Sequence, residues 1–245
     1  HHFLSGNYRT LRKETISIHG DKPSEDLLRY LSVEKNLKEL IVSHPDKLRD
    51  IISKLHSDAF DPKKNLNRIL YHIFIIFGYE DKRFNKDVFY RQSQVGTCPY
   101  CNMADIRLYS LQQRCPQPEK GSIGSFLSQR NLPILGLSFY NLIPSCPSCN
   151  DVQHKSNKDV TSNKGDASLT SMRIINPYEY QDRNFFFDYN LKSHWENAEN
   201  SDVDILTAGD KEVGYNALLN LNGRYNTIQN RETVISIIRK LNRYP

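Results

Sequence analysis

Two cysteine pairs constrain the fold of this chain more than any other feature of its sequence. Residues 98–101 read Cys-Pro-Tyr-Cys and residues 146–149 read Cys-Pro-Ser-Cys. A Cys-x-x-Cys turn directs two sulfurs at one point, and two such turns supply the closed tetrahedral shell of thiolates that structural zinc prefers. The alternatives are two disulfides or four unrelated thiols. The pairing favours zinc, so the sequence predicts one Zn²⁺ ion held by Cys98, Cys101, Cys146 and Cys149.

Composition and charge narrow the class of protein. Five cysteines, four of them in metal-type pairs, suit a reducing cytoplasm better than a disulfide-rich secreted scaffold. No apolar run reaches the length of a membrane span, and no signal-peptide pattern opens the sequence. We therefore expect a cytoplasmic protein without a membrane segment. The net charge of +5 permits nucleic-acid binding but does not require it.

Residues 1–95 are predicted to form a helical N-terminal domain. Apolar residues recur every three to four positions between residues 27 and 55, as in amphipathic helices. Ser24 is a predicted N-cap, and Pro45 and Asp61-Pro62 are predicted helix starts. Residues 69–77 are apolar nearly all round, which predicts a central buried helix. This domain either docks or orients a ligand, or simply covers the metal core.

The second predicted domain, residues 96–245, mixes strands and helices. Alternation predicts a strand at 105–109, and apolar residues predict a second strand at 139–143. A short helix is expected after Pro147, followed by a polar loop that carries Lys155 and Lys158. Another strand is expected at 185–189, and helices close the chain. Together with the N-terminal helices, these elements predict the α+β class.

A recognisable motif surrounds the second cysteine pair. Residues 141–144 read Asn-Leu-Ile-Pro and lead into Cys146, and Asn150 directly follows Cys149. Further along, residues 176–178 read Asn-Pro-Tyr. This pattern resembles the core of the HNH endonucleases, a ββα-metal fold clasped by a four-cysteine zinc site. The resemblance covers residues 98 to about 190.

The resemblance implies a fold and roles for particular residues. It predicts an N-terminal helical bundle, then a zinc-clasped ββα-metal core, then C-terminal helices. Asn141 is expected to fix the active-site loop through hydrogen bonds to the backbone, since an amide can donate and accept at once. Asn141, Asn150 and His154 are the candidate catalytic residues that the motif region offers.

The sequence departs from the family at the reaction centre. Where the family carries Leu-Asp-His-Phe, residues 123–126 read Ile-Gly-Ser-Phe, with Phe126 and Pro133 keeping the register. The family's His is the general base and its Asp helps to hold the catalytic metal. A serine hydroxyl cannot take that proton near neutral pH, and a glycine offers no oxygen to Mg²⁺. Gly124 and Ser125 are therefore predicted to be vestigial.

Three functions follow from this departure. In the first, an HNH-like zinc protein has lost metal-dependent cleavage and binds DNA or a protein partner, with Lys155 and Lys158 as candidate phosphate contacts. In the second, the protein is an active endonuclease that uses Mg²⁺, with His154 as the base and Asp151 as a metal ligand. In the third, the protein is a zinc-stabilised interaction subunit that does not contact nucleic acid. The family resemblance also suggests antiphage defence, a setting of bacterial or phage conflict, and an ATPase partner.

Overall fold

The computed structural model describes residues 21–55, 60–106, 121–150, 174–180, 186–209 and 212–243. These residues form two compact units. The first contains the described residues up to 150 together with 176–178, and the second contains 174–175 and the described residues from 179 onward. Helices combined with two small antiparallel sheets confirm a mixed α and β class. Within this described part, every helix falls short of the length and apolarity that a membrane crossing requires.

A series of short helices occupies residues 22–93 in the described part of the first unit. They are α1 (Lys22–Leu31), α2 (Glu34–Val42), α3 (Pro45–Lys54), α4 (Asn65–Tyr71) with a π-helical continuation (His72–Tyr79), and α5 (Lys86–Ser93). Leucines at helical spacing form their common core, among them Leu27, Leu40, Leu48, Leu66 and Leu70, each no more than 3% exposed. The amphipathic pattern of the sequence therefore identified the buried face.

The helix starts agree only in part with the predictions. Helix α3 does begin at Pro45, whose fixed φ suits the first turn. Helix α1 begins before Ser24, because Pro23 already occupies its first turn, and the Ser24 hydroxyl donates a hydrogen bond to the Asp21 carboxylate at 2.5 Å. The predicted start at Asp61 is also wrong: its carboxylate accepts from the Lys63 backbone N–H at 2.9 Å and closes a turn, as aspartate often does.

The apolar run at residues 69–77 crosses from α4 into the π-helix. A hydrogen bond of 2.8 Å from the Glu80 N–H to the Ile75 carbonyl spans five residues, which is the π-helical spacing. Phe74 and Ile75 are buried, but Ile73 is 46% exposed. The run is thus less uniformly buried than its composition predicts.

A two-stranded antiparallel hairpin forms the centre of the first unit. Strand β1 (Ser122–Ser125) pairs with β2 (Leu142–Ser145), and the short helix α6 (Pro147–Asn150) packs against β1. The predicted strand at 139–143 begins later than expected, since Phe139–Asn141 forms a 3₁₀ turn. In the predicted strand at 105–109, Asp105 makes one isolated bridge to Thr97, and residues 107–109 lie outside the described residues.

The helices and the hairpin share a single core. The Tyr79 hydroxyl donates to the Ile123 carbonyl at 2.6 Å, and the Ser138 hydroxyl donates to the Leu40 carbonyl. A Cβ added at Gly136 would lie 2.2 Å from Cδ1 of Ile75, so the π-helix packs directly on that glycine. The helices predicted as a separate domain and the hairpin both belong to the first compact unit.

The described residues of the second unit form a second hairpin and three α-helices. Strand β3 (Phe186–Leu191) pairs with β4 (Val203–Ala208), and α7 (Glu212–Leu219), α8 (Leu221–Tyr225) and α9 (Ile228–Arg243) follow. Val203 and Ile205 of β4 pack against Ile235 of α9. The Asn226 side chain binds both the N–H and the carbonyl of Ile205, at 2.8 and 2.6 Å, and so acts as a local substitute for a neighbouring strand.

Candidate metal centre

The four predicted cysteine ligands come together in the first unit. The sulfurs of Cys98, Cys101, Cys146 and Cys149 all lie within 4.8 Å of one another, and no side chain of the four is more than 4% exposed. The sulfurs of Cys101 and Cys146 are 3.9 Å apart, far beyond the length of a disulfide bond. None of these four described cysteines forms a disulfide, which excludes one alternative to metal binding.

Local hydrogen bonds shape both cysteine turns. In the first turn the Asn102 N–H donates to the Cys98 carbonyl at 2.7 Å, and Asn102 adopts a φ of 49° that an asparagine tolerates well. In the second turn the N–H groups of Cys149 and Asn150 both donate to the Cys146 carbonyl, at 3.1 and 3.0 Å. Each turn therefore fixes its two sulfurs on the same side of the backbone.

The four adjacent cysteines cannot all be thiolates without strong repulsion between their negative charges. Contacts with the sulfurs of Cys101, Cys146 and Cys98, followed by burial, raise the pKa of Cys149 well above that of an ordinary thiol. Contacts with the sulfurs of Cys146, Cys149 and Cys98 lower the pKa of Cys101. Some members of the cluster therefore favour the thiolate while others resist it. A divalent cation removes this conflict, because it stabilises all four thiolates together.

The geometry and the donors fit a structural zinc ion. Zinc–sulfur bonds of about 2.3 Å in a tetrahedron place neighbouring sulfurs roughly 3.8 Å apart. The separations in this cluster, 3.9 Å for one pair and no more than 4.8 Å for any, are close to that size. Four protein ligands leave no position open for water or substrate, so a zinc ion here would stabilise the fold and would not act in catalysis.

Tyr90 of helix α5 lies near the cysteine cluster. Burial, and then the charges of Cys98 and Cys146, raise the pKa of Tyr90 on this helix. The Tyr90 hydroxyl is buried and has no hydrogen-bond partner among the residues that the structure describes. A Cβ at Gly121 would lie 1.7 Å from the Tyr90 hydroxyl oxygen, so Gly121 is the residue that admits this ring.

Asn141 clamps the loop between the two strands, as predicted. Its Oδ1 accepts from the Leu127 N–H at 2.7 Å, and its Nδ2 donates to the carbonyls of Leu127 and Leu135 at 3.3 and 3.1 Å. The residue is 1% exposed. These hydrogen bonds confirm the structural role of Asn141. A catalytic role for this residue still rests on the family resemblance alone.

The Asn-Pro-Tyr motif donates hydrogen bonds to the start of β2 and to the turn that precedes it. The Asn176 Nδ2 donates to the Tyr140 carbonyl at 2.9 Å, and its Oδ1 accepts from the Tyr178 N–H at 3.1 Å. The Tyr178 hydroxyl donates to the Leu142 carbonyl at 3.2 Å. Burial raises the pKa of Tyr178 to about 12, so the hydroxyl keeps its proton and remains a donor at neutral pH.

The hairpin register explains why both tyrosines find acceptors. Ile123 of β1 faces Pro144 of β2, and a proline has no N–H to donate. The pair Ile123–Pro144 is therefore a non-hydrogen-bonded pair, and by alternation so is Ser125–Leu142. The carbonyls of Ile123 and Leu142 consequently point away from the partner strand, towards Tyr79 and Tyr178. The role of Tyr79 has no signal in the sequence, because an isolated tyrosine in an apolar helix is ordinary.

The predicted reaction centre lies at the end of β1 away from the cysteines. Gly124 is buried opposite Ile143, and Ser125 is half-buried opposite Leu142. The Ser125 hydroxyl finds no hydrogen-bond partner within the described ranges. Asn150 is half-buried at the end of α6, the helix that packs against β1.

The remaining site predictions fall outside the described residues. They concern His154, Asp151, Lys155 and Lys158, and they stay predictions. Cys115 also lies outside the described ranges.

No family model matches the chain, and neither a curated protein nor a solved structure matches it.

Proposed function

We propose that this chain is an HNH-like zinc protein that binds DNA without cleaving it. The observation that carries the proposal is the identity of two residues on β1. Gly124 and Ser125 stand where the family motif has its Asp and His, on a hairpin whose cysteine turns, Asn141 loop clamp and following helix all agree with the motif. The scaffold is retained while its hydrolytic groups are replaced.

The arrangement of the first unit supports an HNH-like core. Two antiparallel strands are followed at once by a helix that packs against the first strand, which is the order of a ββα unit. The cysteine cluster joins the segment before β1 to the segment after β2. The Asn-Pro-Tyr motif then returns to β2 through the hydrogen bonds of Asn176 and Tyr178.

The chemistry of β1 argues against hydrolysis. Cleavage of a phosphodiester needs a base that accepts a proton from water, and a cation that stabilises charge on phosphate. Ser125 provides a hydroxyl, which is a poor base, and Gly124 provides no side-chain ligand. The cysteine cluster cannot replace them, since a zinc ion bound by four thiolates has no open position.

Charge supports nucleic-acid binding as the retained activity. The chain has 33 Lys and Arg against 28 Asp and Glu. Affinity for DNA comes largely from such cations, which contact phosphates and release counterions. Lys155 and Lys158, in the segment after α6, are the proposed phosphate contacts, and their loss should weaken binding and lower its dependence on salt.

A paired binding and cleavage assay tests the proposal. The zinc-loaded chain is incubated with supercoiled plasmid in Mg²⁺, Mn²⁺ or Ni²⁺, and its affinity for a fluorescent DNA duplex is measured by anisotropy at several salt concentrations. We expect salt-dependent binding and no nicking. The variant Lys155→Gln, Lys158→Gln should bind more weakly, whereas Lys35→Gln, Lys82→Gln changes two exposed lysines elsewhere and should bind normally.

Two outcomes would contradict the proposal, and they point to different functions. Metal-dependent nicking that disappears in His154→Ala would show an active endonuclease with His154 as its base. Absence of both nicking and binding, in protein that contains zinc and melts cooperatively, would instead favour an interaction subunit that does not contact nucleic acid.

A further inference from the structure

A cationic cavity opens on the first unit, between α4 with its π-helical continuation and the loop that follows β1. Its volume is about 310 Å³. The side chains that matter for its chemistry are Asn67, Arg68, Tyr71, His72, Ile76 and Arg130. We refer to it below as the Arg130 cavity. It lies among residues that neither the cysteine cluster nor the β1 positions use.

One wall of the Arg130 cavity is a continuous helical face. Arg68, His72 and Ile76 recur at intervals of four residues, so they follow one another along the same side of the helix. This side crosses the junction at which the α-helix becomes a π-helix. Such widened turns occur frequently at functional sites, because they redirect side chains that a regular helix would space differently.

Asn67 joins this wall to the opposite one. Its Nδ2 donates to the Phe60 carbonyl at 2.9 Å and to the Asn131 carbonyl at 3.3 Å. The residue is 3% exposed. Since Asn131 adjoins Arg130, this buried amide holds the arginine-bearing loop beside the helix. The cavity is therefore built into the fold and does not depend on a chance meeting of surface side chains.

The charges around the cavity select an anion. Two guanidinium groups and an imidazole line it, and none of its described lining residues is acidic. The Arg130 side chain is exposed and forms no ion pair within the described part of the chain. Arginine prefers phosphate because its planar fork matches two phosphate oxygens.

We propose that the Arg130 cavity binds the phosphate group of a nucleotide, with Arg68, His72 and Arg130 as its anion contacts. The volume is at the lower end of the range for small-molecule sites, which suits a single nucleotide unit. Tyr71 and Ile76 supply the apolar surface that a base requires. The phosphate comes either from a free nucleotide or from a nucleic-acid strand. This inference goes beyond the proposed function, because it does not depend on the hairpin or the zinc clasp.

Titrations with three probes test the cavity. Inorganic phosphate, adenosine monophosphate and a fluorescent 12-nucleotide DNA strand are each titrated into the full chain and into the variant Arg130→Gln. The control is Arg91→Gln, which changes an exposed arginine of the same unit that does not line the cavity. We expect Arg130→Gln to weaken binding at least about tenfold, as for loss of a charge-assisted hydrogen bond, and Arg91→Gln to leave it unchanged.

The three probes separate the two sources of phosphate. Arg130-dependent binding of phosphate and adenosine monophosphate identifies a free nucleotide site, and Arg130-dependent binding of the strand alone identifies a strand-binding site. Binding of no probe by protein with an unchanged melting temperature would overturn the inference, as would equal weakening by Arg91→Gln. Duplex binding by a protein in which Arg130→Gln changes the binding of none of the three probes would leave the proposed function standing while this inference fails.

Discussion

The two ends of the β1–β2 hairpin differ in the functional groups that they provide. At the end that adjoins Cys146, four buried sulfurs within 4.8 Å of one another provide every ligand that structural zinc requires. At the other end, Gly124 and Ser125 provide neither a carboxylate nor an imidazole. Both ends lie on the same short strands, and both are fixed by extensive backbone hydrogen bonds.

This difference separates residues that stabilise the fold from positions at which catalytic side chains would be needed. Zinc binding is coupled to folding, so a chain that loses a cysteine loses its structure. The side chains at Gly124 and Ser125 are not needed for folding in the same way. The hydrogen bonds of Asn141 and the backbone pairing of the strands hold the loop without any contribution from those two side chains. Substitution at Gly124 or Ser125 is therefore expected to leave the hairpin folded.

The largest expected effect comes from the zinc end. Cys149→Ser should abolish stoichiometric zinc and cooperative unfolding, because structural zinc sites contribute apparent binding free energies of about 10–16 kcal/mol. Elemental analysis and thermal melting followed by circular dichroism measure both properties. Cys115→Ser is the matched control and should change neither. A stable, zinc-free Cys149→Ser protein would remove the contrast between the two ends.

The second effect compares two asparagines. Asn141→Ala removes three hydrogen bonds from a buried loop and should lower the free energy of unfolding by about 3 kcal/mol. Asn150→Ala, at the half-buried end of α6, should change it by less than about 0.5 kcal/mol. Urea denaturation of the two variants gives the comparison. Equal losses would mean that Asn150 is also a structural clamp.

The third effect concerns the contact between Tyr90 of α5 and Gly121, the residue before β1. Gly121→Ala places a methyl group against the Tyr90 ring and should destabilise the protein by about 1–3 kcal/mol. Tyr90→Phe removes the nearest atom, so the double variant should regain part of that loss. Tyr90→Phe alone should be nearly neutral, because the hydroxyl has no hydrogen-bond partner within the described ranges. A loss above about 1 kcal/mol in that single variant would reveal a partner for the hydroxyl.

The smallest effect tests the empty end directly. The double variant Gly124→Asp, Ser125→His introduces the Asp and His of the HNH motif and should create a weak divalent-cation site. With millimolar affinity, 10 mM MgCl₂ would stabilise it by about 1 kcal/mol, seen as a rise in melting temperature. The neutral variant Gly124→Asn, Ser125→Gln is the control and should show no such rise. If both variants respond alike to Mg²⁺, the β1 positions do not form the expected site.

The sequence predicted local and motif-based features better than long-range packing. The cysteine ligands and the Asn141 clamp follow from spacing or from a motif with a clear chemical requirement. The aromatic run at 185–189 also predicted a strand, and its described residues 186–189 lie in β3. The cap at Ser24 failed because Pro23 moved the start of α1. The packing of the N-terminal helices on the hairpin could not be predicted from the sequence. Contacts such as the hydrogen bond from Tyr79 to Ile123 join residues far apart in the chain and leave no periodic pattern.

The Arg130 cavity illustrates the same limit at a candidate site. Arg68 and His72 are close in the sequence, but Arg130 joins them only through the fold. Asn67, which holds the two walls together, looks like any polar residue in an amphipathic helix. Nothing in the sequence position of Arg130, shortly after β1, indicated which helix it would face.

The two tyrosine hydroxyls that donate hydrogen bonds to the hairpin have a consequence for self-association. A sheet of only two strands leaves outward-facing carbonyls that invite strands from other copies of the chain. Here Tyr79 occupies the Ile123 carbonyl and Tyr178 occupies the Leu142 carbonyl, one on each strand. Both edges of the hairpin are therefore partly closed by side chains, which protects a very small sheet from edge-to-edge aggregation without the addition of a single further strand.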